Sequence, residues 1–196
     1  NISFTEAEPP ESLAALKAGE CDLAVAFAYE GTDVARGEED LDAFEITPLL
    51  DDEVRLAVPR SHPVAEQTTV HLGDLSADPW IAGCPRCRGH LVQLADAAGF
   101  RPDVAYETED YVAVMGLVAE GLGVALIPDL ILRTVHHSDV VALPMEPASR
   151  RTITAVTTSD LGRVPAVRAT LDALIESARS QSTAPTTRLP EPTFSI

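Results

Sequence analysis

The chain has 196 residues, 45% hydrophobic but only 5% aromatic, enough for the core of one α/β domain or of two small lobes. Its 14 basic residues are scattered among 31 acidic ones, and the net charge of −17 excludes this stretch as a grip on a polyanion such as DNA. No apolar run approaches the roughly 18 residues that span a bilayer, and Asn1-Ile2-Ser3-Phe4 has no signal-like pattern, so a cytoplasmic protein without a membrane partner is expected.

Asn1 is not a translation start and residues 2–5 read as a strand already under way, so a piece of a longer protein is expected. A helix follows over 10–18, with Pro10 at its start and Gly19 past its end. The apolar run over 21–27 then reads as a strand, and its position after a crossover helix predicts a parallel sheet covered on both faces. The acidic stretch 32–42 reads as a solvated loop. Two short strands are expected from Phe44, with Val54, Leu56 and Val58 alternating until Pro59-Arg60-Ser61-His62-Pro63 breaks the pattern.

The rhythm then restarts: strand 80–82, helix 87–98, strand 104–107, helix 111–120, strand 124–127, a short helix, and strands 140–143 and 153–157. A last helix begins near Val164-Pro165, where Val167, Leu171, Leu174 and Ile175 share one face. Residues 181–196, rich in Ser, Thr and Pro, read as a disordered tail. With a crossing strand near 55–59 and a return near 153–157, the division is lobe I over 1–59 and 154–180 and lobe II over 60–153. A cleft between the lobes is where such folds bind ligands.

Three phrases carry a family resemblance. Gly19-Glu20-Cys21-Asp22-Leu23-Ala24 follows the first helix, Ser61-His62-Pro63 ends the crossing strand, and Gly121-Leu122-Gly123-Val124 runs on to Pro128. Together they resemble the effector-binding domain of LysR-type transcriptional regulators, over about residues 2–178. The resemblance implies a two-lobed α/β fold of the type II periplasmic-binding-protein kind, each lobe a mixed sheet flanked by helices. It also implies a homo-oligomer, dimer or tetramer, that senses a small molecule and meets DNA only through an N-terminal domain not in this sequence. The winged helix-turn-helix and the first strand and helix of the sensing domain have no counterpart here. In the family that strand lies between those expected at residues 2 and 23, so this stretch alone is expected to be less stable than one extended upstream by about 30 residues.

The densest chemistry lies between a strand and a helix, in Gly83-Cys84-Pro85-Arg86-Cys87-Arg88-Gly89-His90. A helix start presents unpaired N–H groups and a partial positive charge, and Arg86 and Arg88 add two cations, which suits a carboxylate or phosphate. The resemblance puts one wall of the effector cleft here. The plainer reading points the arginines to solvent or pairs them with acids such as Asp96, with the cysteines in the core. The opposite wall is expected to include Pro9 and Pro10 after Glu8, with Asp110 and Tyr111 contributing from the second lobe; Asp110 is also an N-cap and Tyr111 is equally a packing residue.

Cys84-x-x-Cys87 admits two further readings. A redox pair gains from the lowered thiolate pKa of a helix start. A metal site would use Cys84, Cys87 and His90, but structural zinc wants four ligands and the sequence offers no second such pair. The odd count of Cys21, Cys84 and Cys87 suits a reducing compartment rather than a disulfide scaffold. His62, His136 and His137 read as turn or surface residues. Hydrolase, phosphate-loop, zinc-protease and dinucleotide fingerprints are missing, so no enzyme, cofactor or metal is expected; Cys84 or Cys87 is the one candidate nucleophile. A solute-binding protein shares the architecture and would carry an export signal upstream.

Overall fold

The computed structural model describes residues 2–30 and 44–182. The expected loop at 32–42 and all but the first two residues of the expected tail lie outside the described residues. The chain is α/β. Helix α1 (Pro9–Ala18) starts on two prolines and buries Leu13 and Leu16, and it leads into strand β1 (Ala24–Tyr29). Strand β2 (Phe44–Pro59) is one continuous 16-residue strand rather than the two short ones expected. Its register shifts between Pro48 and Leu50, and that irregularity breaks the period-two pattern, which explains why the sequence reads as two pieces.

Beyond β2 come the short β3 (Val70–His71), β4 (Pro79–Ala82), α2 (Pro85–Ala97), β5 (Asp103–Glu107), α3 (Tyr111–Ala119) and β6 (Val124–Pro128). Next are α4 (Asp129–Leu132), β7 (Val140–Leu143), β8 (Met145–Glu146), β9 (Ser149–Thr158) and α5 (Pro165–Ser182). Among the described residues no helix is long and apolar enough to cross a membrane.

Seven strands form one mixed sheet in the order β1-β9-β2-β6-β4-β5, with β7 also on β2. The parallel pairs in this sheet are β4 with β5 and β4 with β6, reached through α2 and α3 because parallel strands need a crossover connection. Two expectations about the opening segment fail here. Residues 2–5 form no strand and lie exposed, and β1 pairs antiparallel with β9 rather than entering a parallel sheet. An apolar run reports burial but not the direction of its partner, and β9 arrives more than a hundred residues later.

The core gathers in three places. α1, β1 and Val156 of β9 enclose Leu13, Leu16 and Ala26. The largest group centres on Leu56, Trp80 and Leu91, and the third packs α3 against β6 through Val118 and Ile127. The Gly121-Leu122-Gly123 phrase has a steric cause: Gly121 takes a left-handed φ of 72°, and a Cβ at Gly123 would lie 2.8 Å from the Pro79 carbonyl of β4. The close approach of β6 to β4 depends on it.

Candidate functional site

The site is assembled from the middle of the sheet outward. In register, Tyr29 of β1 faces Arg151 of β9, and Arg151 faces Asp52 of β2, so three polar residues cross the sheet in one row. Asp52 lies in phase with Val54, Leu56 and Val58, which places it on the buried side. Arg151 Nε donates to Asp52 Oδ2 at 3.0 Å, the Leu130 N–H donates to Asp52 Oδ1 at 2.9 Å, and the Arg151 guanidinium lies 4.9 Å from the Phe27 ring centre. Burial pushes the Asp52 carboxyl up, against the Leu130 N–H and the Arg151 charge that favour its ionised form.

The start of α2 meets this row. Cys84 is the N-cap, its sulfur accepting from the Cys87 N–H at 3.3 Å, and the two sulfurs are 2.8 Å apart with both cysteines free. Cys87 Sγ also takes hydrogen bonds from the Tyr29 and Tyr111 hydroxyls, so groups from β1, α2 and α3 converge on one sulfur in the field of Arg151 on β9. Two thiols this close share their first ionisation and resist the second. Hydrogen bonding from Cys84, with help from Tyr29 and Arg151, pulls Cys87 down to about 7 against its burial. The Cys84 thiol is pushed up by its bond to Cys87 and by burial, and burial likewise raises both tyrosines.

One turn further along α2, His90 stacks flat on Tyr29, ring centres 3.8 Å apart, and its Nε2 pairs with Ser149 Oγ at 2.6 Å. Among the described residues its buried Nδ1 has no hydrogen-bond partner, and desolvation lowers the ring to about 4, so it is neutral at pH 7. His90 is thus tied to the tyrosine and serine. Among the described residues no three His, Cys, Asp or Glu side chains are grouped to hold a metal.

The nine residues expected to bind ligand divide clearly. Cys84, Cys87 and Tyr111 are brought together. Pro9 is buried at the start of α1, whose preceding Glu8 lies near enough to act electrostatically on both cysteines, while Pro85 and Pro10 are exposed. Asp110 caps α3 instead, accepting from the Val112 N–H at 2.8 Å. Arg86 is half-buried, and Arg88 is exposed and pairs with Glu107 at 2.8 Å, not with Asp96. Sequence reasoning missed Tyr29, Asp52, Ser149 and Arg151; only the in-phase position of Asp52 could have flagged one of them.

A separate hollow of about 490 Å³ opens beside α3, lined by Tyr106, Glu107, Leu117 and His137 among others, and it includes none of those nine residues. His62 serves as a turn cap, Nδ1 accepting from the Val64 N–H, with Nε2 3.0 Å from Asp78.

A family profile described as the LysR substrate binding domain matches residues 1–179. The chain belongs to that family. The effector-binding domain of QuiR in complex with shikimate superposes with a TM-score of 0.73 at 22% identity, covering 91% of this chain and 81% of that one. The BenM effector-binding domain with benzoate superposes at 0.69 with 19% identity, covering 95% and 81%. Both likenesses establish the two-lobed α/β fold of the LysR domain. Among sequence relatives, the transcriptional dual regulator GltC of Bacillus subtilis is 36% identical over 109 residues, 54% of this chain. The match covers 36% of GltC, so it spans about a third of that protein's length.

Proposed function

We propose that this LysR domain is the ligand-sensing part of a transcriptional regulator and binds a small anionic effector at the start of α2, between lobe I (1–59 and 154–180) and lobe II (60–153). The observation that carries the reading is the convergence of β1, β9, α2 and α3 on the Cys84–Cys87 helix start. A ligand held there touches elements from both lobes and biases their relative orientation through differential contacts. The site is suited to negative charge: it has a helix N-terminus, hydroxyl donors on Tyr29 and Tyr111, and the buried Arg151 cation. The shikimate and benzoate bound by QuiR and BenM are small acids, which supports the same class for this chain.

In the whole regulator the lobe movement changes the geometry of a homo-oligomer and so the placement of DNA-binding domains upstream, in the cytoplasm. Pro10 and Pro85 shape the rim from the surface, Pro9 anchors α1 beneath it, Asp110 fixes the start of α3 as its cap, and Arg86 and Arg88 hold the acid. The Arg88–Glu107 pair is a surface pair of at most about 1 kcal/mol and yields readily to a competing anion. A thermal-shift screen of small carboxylates tests this. An acid at a hundred times its Kd stabilises by about 2.7 kcal/mol, and Arg86→Ala with Arg88→Ala removes that gain; equal stabilisation of both proteins overturns the assignment.

A further inference from the structure

We propose that Cys84 and Cys87 are a reversible modification site, oxidised to a disulfide by a hydroperoxide, with Cys87 as the attacking sulfur and Cys84 as the resolving one. The sulfurs are 2.8 Å apart at the N-cap and third residue of one helix, so no element needs to travel for the bond to form. The preceding Gly83 leaves the space: a Cβ there would lie 3.2 Å from the Cys87 Cβ. Cys84 is buried whereas Cys87 is partly open, which divides the roles, because the attacking sulfur must meet the oxidant and the resolving one need meet only its neighbour. Tyr29, Tyr111 and Arg151 stabilise negative charge on Cys87, and its lowered pKa supplies thiolate at neutral pH. Cys21, in contact with the Ser12 carbonyl and flanked by Glu20 and Asp22, is raised by burial and those charges, and serves as the internal control.

In the first step the Cys87 thiolate attacks the outer oxygen of the hydroperoxide; an S–O bond forms, the O–O bond breaks, and the departing alkoxide or hydroxide takes a proton from water. The product on Cys87 is a sulfenic acid. Cys84 sulfur then attacks Cys87 sulfur; the S–S bond forms, the S–O bond breaks, and hydroxide leaves as water with the Cys84 proton. Two electrons pass from the sulfurs to the peroxide, and a dithiol returns them. Oxidation erases the negative charge that holds Tyr29 of β1 and Tyr111 of α3 on one atom. The proposal does not rest on effector binding, since a chain that binds no acid still forms this bond.

The experiment is hydrogen peroxide treatment of the full chain at pH 7, followed by trapping of free thiols and peptide mass spectrometry. The expected result is a Cys84–Cys87 cross-link that forms before Cys21 is oxidised and is reversed by dithiothreitol. With Cys84→Ser, Cys87 stops at a dimedone-reactive sulfenic acid. Oxidation of Cys21 ahead of the pair, or no cross-link at all, overturns the proposal. A measurement on the unaltered chain guards against misfolded variants: iodoacetamide should label Cys87 about tenfold faster than Cys21 at pH 7, and equal rates contradict the assigned roles.

Discussion

Helices α2 and α3 start in the same way, after a parallel strand, yet their first turns are opposites. At α3 the exposed carboxylate of Asp110 fills the helix end with its own negative charge. At α2 the cap is a buried thiol that leads to Cys87, two tyrosine hydroxyls and the Arg151–Asp52 pair. A helix end that carries its own anion has little left to offer a ligand. One capped by a thiol keeps its capacity for charge, whether that charge is a thiolate or a bound acid.

The contrast is tested hardest at its buried support. Asp52→Ala leaves Arg151 charged and unpartnered beneath the α2 start and strips the Leu130 N–H of its acceptor, and it should cost about 3–5 kcal/mol in urea unfolding. A loss under 1 kcal/mol would mean that Arg151 finds water instead.

His90 gives the next largest effect. Its folded pKa of about 4 lies below the ordinary 6.5, so the unfolded chain binds the proton first. The resulting stability is fully present above pH 6.5, drains as pH falls toward 4, and amounts to about 3 kcal/mol at most. Urea midpoints from pH 7 to 4 should show that slope, and His90→Gln should flatten it.

At α3, Asp110→Ala removes only a cap and should cost about 1 kcal/mol in urea unfolding. A loss above about 2 kcal/mol would show that Asp110 does more than cap the helix. The smallest effect is expected from Arg88→Ala, within about 0.5 kcal/mol of the unaltered chain in thermal unfolding, because its pair with Glu107 is exposed.

The legible part of the molecule was local. Capping residues marked α1 and α3, alternation marked β2 from Val54 onward, and the apolar run after Gly123 marked β6. The Cys84–Arg88 stretch was recognisable because strand, cap and cations are neighbours in sequence. What joins it to the rest of the site was not, because Tyr29, Asp52 and Arg151 meet only through β1-β9-β2 register across more than a hundred residues. The antiparallel placement of β1 was hidden for the same reason. The exposed pair of Arg88 with Glu107 was hidden as well, since nothing local announces that Glu107, at the end of β5, will sit beside it.

A small acid docked at the start of α2, as proposed, would cover the Cys87 sulfur. The most direct measurement is the iodoacetamide alkylation rate of Cys87 in the unaltered chain, with and without an acid already found to raise its melting temperature, with Cys21 read in the same samples. At ten times its Kd the acid should slow Cys87 labelling about tenfold and leave Cys21 unchanged. If the acid stabilises the protein while Cys87 reacts at its original rate, the ligand binds elsewhere and the account of this site is wrong.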